Sequence, residues 1–332
     1  MTQPPMIDAI NVSKQFSSGP GVAGKLLARL GLSRPSPTVH GLDGVDLTVA
    51  RGEVVGLVGE SGCGKSTLGR IIAGVSSPSE GEIRWRGRNV RELPQAEAKA
   101  AKLSTQMIFQ DPMSSLNPRL RVSDIIGEAP LVHGLVPRAE LDDYVDEQLR
   151  RAGLDPSVKG RYPHQFSGGQ RQRICIARAL AVQPEFLVCD ESVAALDVSI
   201  QAQVLNLFMK LREDLDLTYL FISHDLGVVR HLSDRVVIMY LGRIVEQAPA
   251  EELFAQPNHP YTRSLLAAVP QINARRKTFG VVKGELPSPL NPPSGCHFHP
   301  RCEFAMDRCR IERPKTKIIA PFHASACHLN DA

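Results

Sequence analysis

Aromatic residues are scarce in this chain of 332 residues: they make up 5% of it, with a single Trp. No basic run is interleaved with aromatics, so the stacking grooves of nucleic-acid binders are not expected. No apolar run approaches the roughly 20 residues of a membrane-spanning helix. The first residues, Met1-Thr2-Gln3-Pro4-Pro5, lack the basic and apolar regions of a secretory leader. The chain is therefore expected to be soluble and cytosolic. Its net charge of +4 is mild. That charge permits an acidic partner or an anionic membrane surface without demanding either. Seven cysteines, an odd count, argue against a disulfide framework.

What is present is organised around Gly59-Glu60-Ser61-Gly62-Cys63-Gly64-Lys65-Ser66-Thr67, which fits the phosphate-loop pattern G-x-x-x-x-G-K-[ST]. The preceding Val54-Val55-Gly56-Leu57-Val58 reads as a short buried strand. Leu68 to Ala73 reads as a helix ending near Gly74. The glycines let backbone N–H groups close on phosphate oxygens, and the helix start adds unpaired donors and partial positive charge. Lys65 should reach the β- and γ-phosphates of a nucleoside triphosphate, and Ser66 should hold Mg²⁺.

Around this loop the pattern alternates. Strands are expected at Ile7–Phe16 (an edge strand), Val45–Val49, Glu82–Trp85, Met107–Gln110, Phe186–Asp190, Tyr219–Ser223 and Val236–Tyr240. Helices are expected at Val122–Gly127, Leu141–Ala152, Gln170–Val182, Ile200–Glu213 and Gly227–Leu232. Strands alternating with helices imply an α/β domain with a largely parallel sheet and a helical insertion over Gln110–Gln183. Ser17–Pro37 is rich in Gly, Ser and Pro. It reads as a solvated loop, or, through its Lys25–Leu30 island, as a membrane-surface or partner-binding helix. Beyond about Gln256 the chain turns loop-like, and such a tail must be tied down by something other than a large core.

Two further stretches carry chemistry. Phe186-Leu187-Val188-Cys189-Asp190-Glu191 is a buried strand that delivers Asp190 beside the loop, where a carboxylate can hold Mg²⁺. Glu191 points elsewhere and can polarise a water for attack on a γ-phosphate. Ser167-Gly168-Gly169-Gln170 opens a helix with bare glycine amides and makes a second anion site. No ligand is left for it in its own chain.

Together these stretches resemble the nucleotide-binding subunit of an ATP-binding-cassette (ABC) transporter, whose signature is Ser167-Gly168-Gly169-Gln170. The resemblance implies an α/β P-loop NTPase fold of RecA-like type over residues 1–255, with a helical subdomain at about 111–184, and a small irregular C-terminal extension over 256–332. It implies that Gln110 is the Q-loop glutamine, touching Mg²⁺ and the attacking water. It places Asp197 in a D-loop, Ser192-Val193-Ala194-Ala195-Leu196-Asp197, which departs from the commoner form at its first positions. His224 becomes the switch histidine at the γ-phosphate. Phe16 stands where an aromatic stacks on adenine, a core role being its rival. Ser66, Gln110 and Asp190 would hold Mg²⁺, and Glu191 would be the catalytic base, with Lys65, Gln110 and His224 in the catalytic set. Two such subunits would close head to tail on shared ATP and drive a membrane partner.

Gln110–Pro118, His259–Leu266 and Gly295–Cys302 resemble the oligopeptide/dipeptide importer ATPases. That implies an ATPase powering peptide import on the cytoplasmic face of a membrane. Its partners would be a second ABC ATPase subunit, two permease subunits and an extracytoplasmic substrate-binding protein, with no nucleic acid. The rival readings are a soluble ABC ATPase of translation or DNA repair, and an importer of nickel or glutathione-type cargo.

Cys296, Cys302, Cys309 and Cys327 are spaced C-x₅-C-x₆-C-x₁₇-C. Four thiolates in a coreless segment can organise it around a [4Fe–4S] cluster or around zinc, or they can hold no metal. The resemblance favours the cluster, since some relatives carry one at such cysteines. His297, His299, His323 and His328 read as surface or supporting residues rather than ligands.

Overall fold

The computed structural model describes residues 4–17, 38–194, 196–268 and 284–331. Most of the Ser17–Pro37 loop, with its Lys25–Leu30 island, lies outside the described residues.

Two sheets organise the molecule. The smaller is antiparallel, in the order β2-β1-β4-β5: β1 is Ile7–Ser17, β2 Thr38–Val49, β4 Glu80–Trp85 and β5 Arg88–Asn89. β1 is not the edge strand that its alternation suggests. It pairs with β2 on one side and β4 on the other, and the alternation reflects a sheet buried on one face.

The larger sheet has eight strands in the order β11-β12-β10-β9-β3-β8-β7-β6. These are β3 Val54–Val58, β6 Thr105–Ile108, β7 Phe186–Asp190, β8 Thr218–Ile222, β9 Arg235–Tyr240, β10 Arg243–Pro249, β11 Lys317–Ala320 and β12 His323–Ser325. The pairs β3/β8, β3/β9, β7/β8 and β6/β7 are parallel. Every residue of β3, β7 and β8 is buried, the continuous apolar signature of parallel strands covered on both faces. Met6, Val12, Leu47, Leu68, Ile72 and Val188 fill the space between the two sheets.

The helices are α1 Lys65–Ile72, α2 Gln95–Ser104, α3 Pro112–Ser115, α4 Val122–Val132, α5 Leu141–Arg151, α6 Gly168–Leu180, α7 Val198–Leu215, α8 Leu226–Leu232, α9 Ala250–Ala255, α10 Pro260–Ala267 and α11 Asp307–Ile311. α3 to α6 lie between β6 and β7 in the chain. Their apolar faces join the other side of the large sheet in one core with Val122, Leu149, Ile174 and Phe208.

The tail has more regular structure than its composition suggests. α10 forms where the sequence reads as a loop, because Pro260 begins a helix well and the His259 ring caps it, Nδ1 accepting from the Tyr261 amide at 3.1 Å. β12 then pairs with β10 and extends the main sheet. The buried Glu246 carboxylate accepts from the amides of Asn258 (2.7 Å) and His259 (2.9 Å) and lies 2.7 Å from His323 Nε2. One side chain thus ties β10, the start of α10 and β12 together. Breaking such a buried group typically costs about 3–5 kcal/mol.

Burial drives the His259 ring down to about 3 from its ordinary pKa near 6.5, with Arg263 adding to it. The unfolded chain therefore binds a proton there that the native state refuses, so this contribution to stability falls as pH drops from 6.5 toward 3. His259→Asn keeps a capping acceptor and removes the titration. We expect the wild type to lose about 1.5 kcal/mol more than this variant between pH 6.5 and 5, measured by urea unfolding. Parallel pH profiles would contradict a neutral, buried His259.

Candidate functional site

The site lies at the C-terminal ends of β3, β7 and β8. After β3 the chain turns through Gly59 to Gly64. A Cβ on Gly59 would lie 2.2 Å from Met239 O, and Gly64 has φ +106°, so the loop requires glycine at both places. Lys65 is the first residue of α1. Its side chain folds under the loop, 4% exposed, and its ammonium donates to Gly59 O at 2.7 Å and Glu60 O at 3.0 Å. Ser66 Oγ donates to Asp190 Oδ1 at 2.7 Å. Burial pushes the Asp190 carboxyl above its ordinary range, while the Ser66 hydrogen bond and Arg70 pull the other way. A hydroxyl and a buried carboxylate converging beside an ammonium form a hard-oxygen corner suited to Mg²⁺.

One residue beyond β7 the backbone changes hand. Glu191 has φ +45°, an uncommon conformation for a side chain with a Cβ, and its amide donates to Ile222 O at 3.0 Å. Its side chain, 13% exposed, meets two others: Gln110 Nε2 donates to Glu191 Oε2 at 2.8 Å, and His224 Nδ1 lies 3.5 Å from the same oxygen. Segments following β6, β7 and β8 thus converge on one carboxylate. Phe16 is 47% exposed at the end of β1, with the Lys14 ammonium 5.3 Å above its ring, and so is not a core residue.

Ser167 to Gln170 form the turn into α6. Ser167 Oγ accepts from the Gln170 amide at 3.3 Å, and Gln170 Oε1 accepts from the Ser167 amide at 3.0 Å, a reciprocal capping box. Ser167, Gly168 and Gln170 are exposed. Among the described residues no hydrogen bond or ion pair joins this turn to Gly59–Thr67. Asp197, exposed, is the N-cap of α7; Ala195 of the same loop lies outside the described residues.

Sequence reasoning missed two residues at the phosphate loop. The Tyr261 hydroxyl accepts from the Glu60 amide at 2.9 Å, and Arg301 grips the Glu60 carboxylate at 2.7 and 3.0 Å. The partners lie 201 and 241 residues away along the chain; no local pattern signals such a pairing.

Cys63, Cys175 and Cys189 are buried thiols; burial pushes Cys175 up to about 11. In the tail Cys309 is buried and Cys296, Cys302 and Cys327 are half-buried. Burial raises Cys296 to about 11, with charge on Cys309, Cys327 and Cys302 adding to it. Burial raises Cys302, with Cys309 and Glu303 adding to it, and burial raises Cys327, with Cys302 and Cys309 adding to it. The Cys296 amide donates to Cys309 O at 2.8 Å, which holds those two segments together. Among the described residues no group of three or more His, Cys, Asp or Glu is placed to hold a metal ion. The nearby histidines have partners of their own: His297 with Leu241 O, His299 with Cys296 O, His323 with Glu246, and His328 with Glu312 O and Asp331. Three of them, His297, His323 and His328, are buried rather than at the surface.

Residues 42–194 match the family model "ABC transporter", and residues 245–309 match "Oligopeptide/dipeptide transporter, C-terminal region". The oligopeptide transport ATP-binding protein AppF of Bacillus subtilis (strain 168) is 51% identical, the match covering 88% of this chain and 90% of that protein. The probable peptide ABC transporter ATP-binding protein y4tS of Sinorhizobium fredii is 48% identical, covering 88% and 83%. Among solved structures, cbiO1 of Clostridium perfringens, part of the ABC transporter complex cbiONQ, aligns with a TM-score of 0.62 at 26% identity, covering 76% of this chain and 92% of that one. The ATP-binding cassette MJ0796, solved as a dimer in a post-hydrolysis state with ADP and Pi, aligns with a TM-score of 0.61 at 28% identity, covering 74% and 99%.

The ammonium of Lys65 lies under the loop's backbone, held by the carbonyls of Gly59 and Glu60. Lys65→Ala is expected to weaken ATP binding about 100-fold in a nucleotide titration. Unchanged affinity would show that the ammonium is not a phosphate ligand.

Proposed function

The chain belongs to the ABC transporter ATPases, in their oligopeptide/dipeptide-transporter branch, and from that premise we propose how its residues divide the work of an ATPase that powers peptide import. The observation that carries the assignment is the pair of convergences just described. Lys65, Ser66 and Asp190 meet at the phosphate loop, and Gln110, Glu191 and His224 meet at one carboxylate beside it.

In this reading adenine packs on the half-exposed Phe16 ring, and the amides of the Gly59–Thr67 loop, that of Glu60 excepted, close on the phosphates. The Lys65 ammonium exchanges the carbonyls of Gly59 and Glu60 for β- and γ-phosphate oxygens. Ser66, Asp190 and Gln110 would hold Mg²⁺, which supplies charge neutralisation on the phosphates. Glu191 takes a proton from water as the water oxygen bonds to the γ-phosphorus and the bond to the ADP oxygen breaks. His224 contacts the γ-phosphate. Gln110 must first release the Glu191 carboxylate, so a membrane partner that moves Gln110 governs the base.

The exposed turn Ser167-Gly168-Gly169-Gln170 acts on the ATP of a second cassette, identical or related. Asp197 and its neighbour Val198, 84% exposed, support that contact. We divide the chain into a cassette, residues 1–255 with its helical subdomain at about 111–184, and the extension, 256–332. The other partners are two permease subunits and an extracytoplasmic substrate-binding protein that selects cargo. Nucleic acid is not a partner. Among the described residues no helix is long and apolar enough to cross a membrane, in keeping with peripheral attachment at the cytoplasmic face.

For the extension we propose a [4Fe–4S] cluster held by Cys296, Cys302, Cys309 and Cys327. The four are free thiols within one short extension, and iron–sulfur clusters are commonly held by four cysteine thiolates. The cluster would supply cross-links between four segments of a tail with little core of its own.

Two measurements check these assignments. Glu191→Gln should lower ATP turnover about 10²–10⁴-fold while ATP stays bound and the paired state accumulates on gel filtration; unchanged turnover would refute Glu191 as the base. Anaerobically purified protein should be brown, absorb in the visible and carry about four irons per chain, and Cys309→Ser should bleach it. A colourless, zinc-bearing preparation would refute the cluster.

A further inference from the structure

We propose that Arg301 and Tyr261, both in the C-terminal extension, are positioning residues of the nucleotide site: they fix the phosphate loop through Glu60 and cancel its negative charge. This rests on the reading that Gly59–Thr67 binds ATP.

Glu60 is an anomaly in a loop built for anions. Its carboxylate stands at the second position of a segment whose amides and ammonium are arranged to receive a triphosphate. Left alone, that charge would repel the ligand. Arg301 meets it with two hydrogen bonds, Nη1 to Oε2 at 2.7 Å and Nη2 to Oε1 at 3.0 Å, the fork geometry that guanidinium alone supplies. The Arg301 side chain is only 6% exposed and that of Glu60 26%, so solvent screens the pair weakly. The guanidinium also lies 5.9 Å above the Tyr240 ring and donates to its hydroxyl at 3.4 Å.

Tyr261 acts on the same residue from the backbone side. Its hydroxyl takes the Glu60 amide at 2.9 Å, so that N–H is directed away from the phosphates. The phenol is held rigidly. Tyr261 is fully buried against Tyr240 (4.7 Å between ring centroids) and Phe298 (5.4 Å). With the Glu60 carboxylate and amide both fixed, its carbonyl is fixed too, and that carbonyl is one of the two on which the Lys65 ammonium rests. The extension therefore sets where the lysine waits. Arg301 directly precedes Cys302 and closes the short turn His299–Arg301, so the brace hangs on the cysteine segment.

The test is an ATP–Mg²⁺ titration of the full chain, with KM and kcat measured alongside. Arg301→Gln, which keeps the buried stem, should weaken ATP binding and raise KM about ten-fold while kcat changes much less. Arg301→Lys, which keeps the charge and loses the fork, should fall between. Adding Glu60→Gln to Arg301→Gln should recover most of the lost affinity, because the uncancelled charge is gone. A purely structural role for Arg301 would not be rescued in this way. Tyr261→Phe, which removes one hydroxyl from an otherwise intact aromatic cluster, should raise KM several-fold without lowering the melting temperature appreciably. Unchanged KM in Arg301→Gln, or a double variant as weak as the single one, would overturn the proposal. Lys65→Ala run in parallel separates the two levels. If it binds ATP normally the loop assignment fails, and if it alone loses binding only the brace fails.

Discussion

A strand buried on both faces can present chemistry only at its end, and this constraint governs the molecule. β3, β7 and β8 are wholly buried, so their polar residues gather where the strands run out: the glycine loop after β3, Asp190 and Glu191 at the end of β7, His224 just past β8. Because the three strands are parallel, those ends lie on one edge. The Ser66–Asp190 hydrogen bond of 2.7 Å locks the start of α1 to the end of β7 across that edge. Gln110, two residues past β6, completes the row. A parallel sheet thus assembles, from four separate stretches of sequence, a site that none of them holds alone.

The same edge explains what remains incomplete within one chain. The turn Ser167–Gln170 satisfies its own cap and faces outward, while Glu191 is occupied by Gln110 and His224. In the proposed function both belong to the cassette before it pairs. Closure against a second cassette would supply the first with a ligand and free the second to act, a two-state arrangement that ATP and a membrane partner can bias in common. The extension is tied to the same structure, through β12 on the main sheet and through Arg301 and Tyr261 on the phosphate loop.

Much of this was legible in the sequence because it is written in local pattern. A glycine loop between an apolar strand and a helix, an apolar run ending in Asp190-Glu191, and a serine–glycine helix start are each short-range signals. β3, β7, β8 and α6 appear within a few residues of where those signals place them. The failures have physical causes. α2 was not visible because only Ala101 and Ser104 of it are buried; with so small an apolar stripe, its helicity rests on Ala, Glu, Gln and Lys propensity rather than on period. β1 lies inside its sheet rather than at the edge because alternation reports burial on one face and says nothing about neighbours. α10 and β12 escaped because the tail is organised by long-range polar contacts to the buried Glu246. Arg301 and Tyr261 escaped for the same reason. A pairing across more than 200 residues leaves no local trace.

The central claim is that one nucleotide is held by Lys65's loop in one cassette and completed by a serine–glycine turn from another. The most direct measurement is the distance from Ser167 Oγ to the nearest γ-phosphate oxygen in the assembled, ATP–Mg²⁺-bound complex. The expected result is hydrogen-bond contact with the ATP held by the opposite cassette. Contact with the ATP of its own chain, or a Ser167 turn facing only solvent, would contradict it.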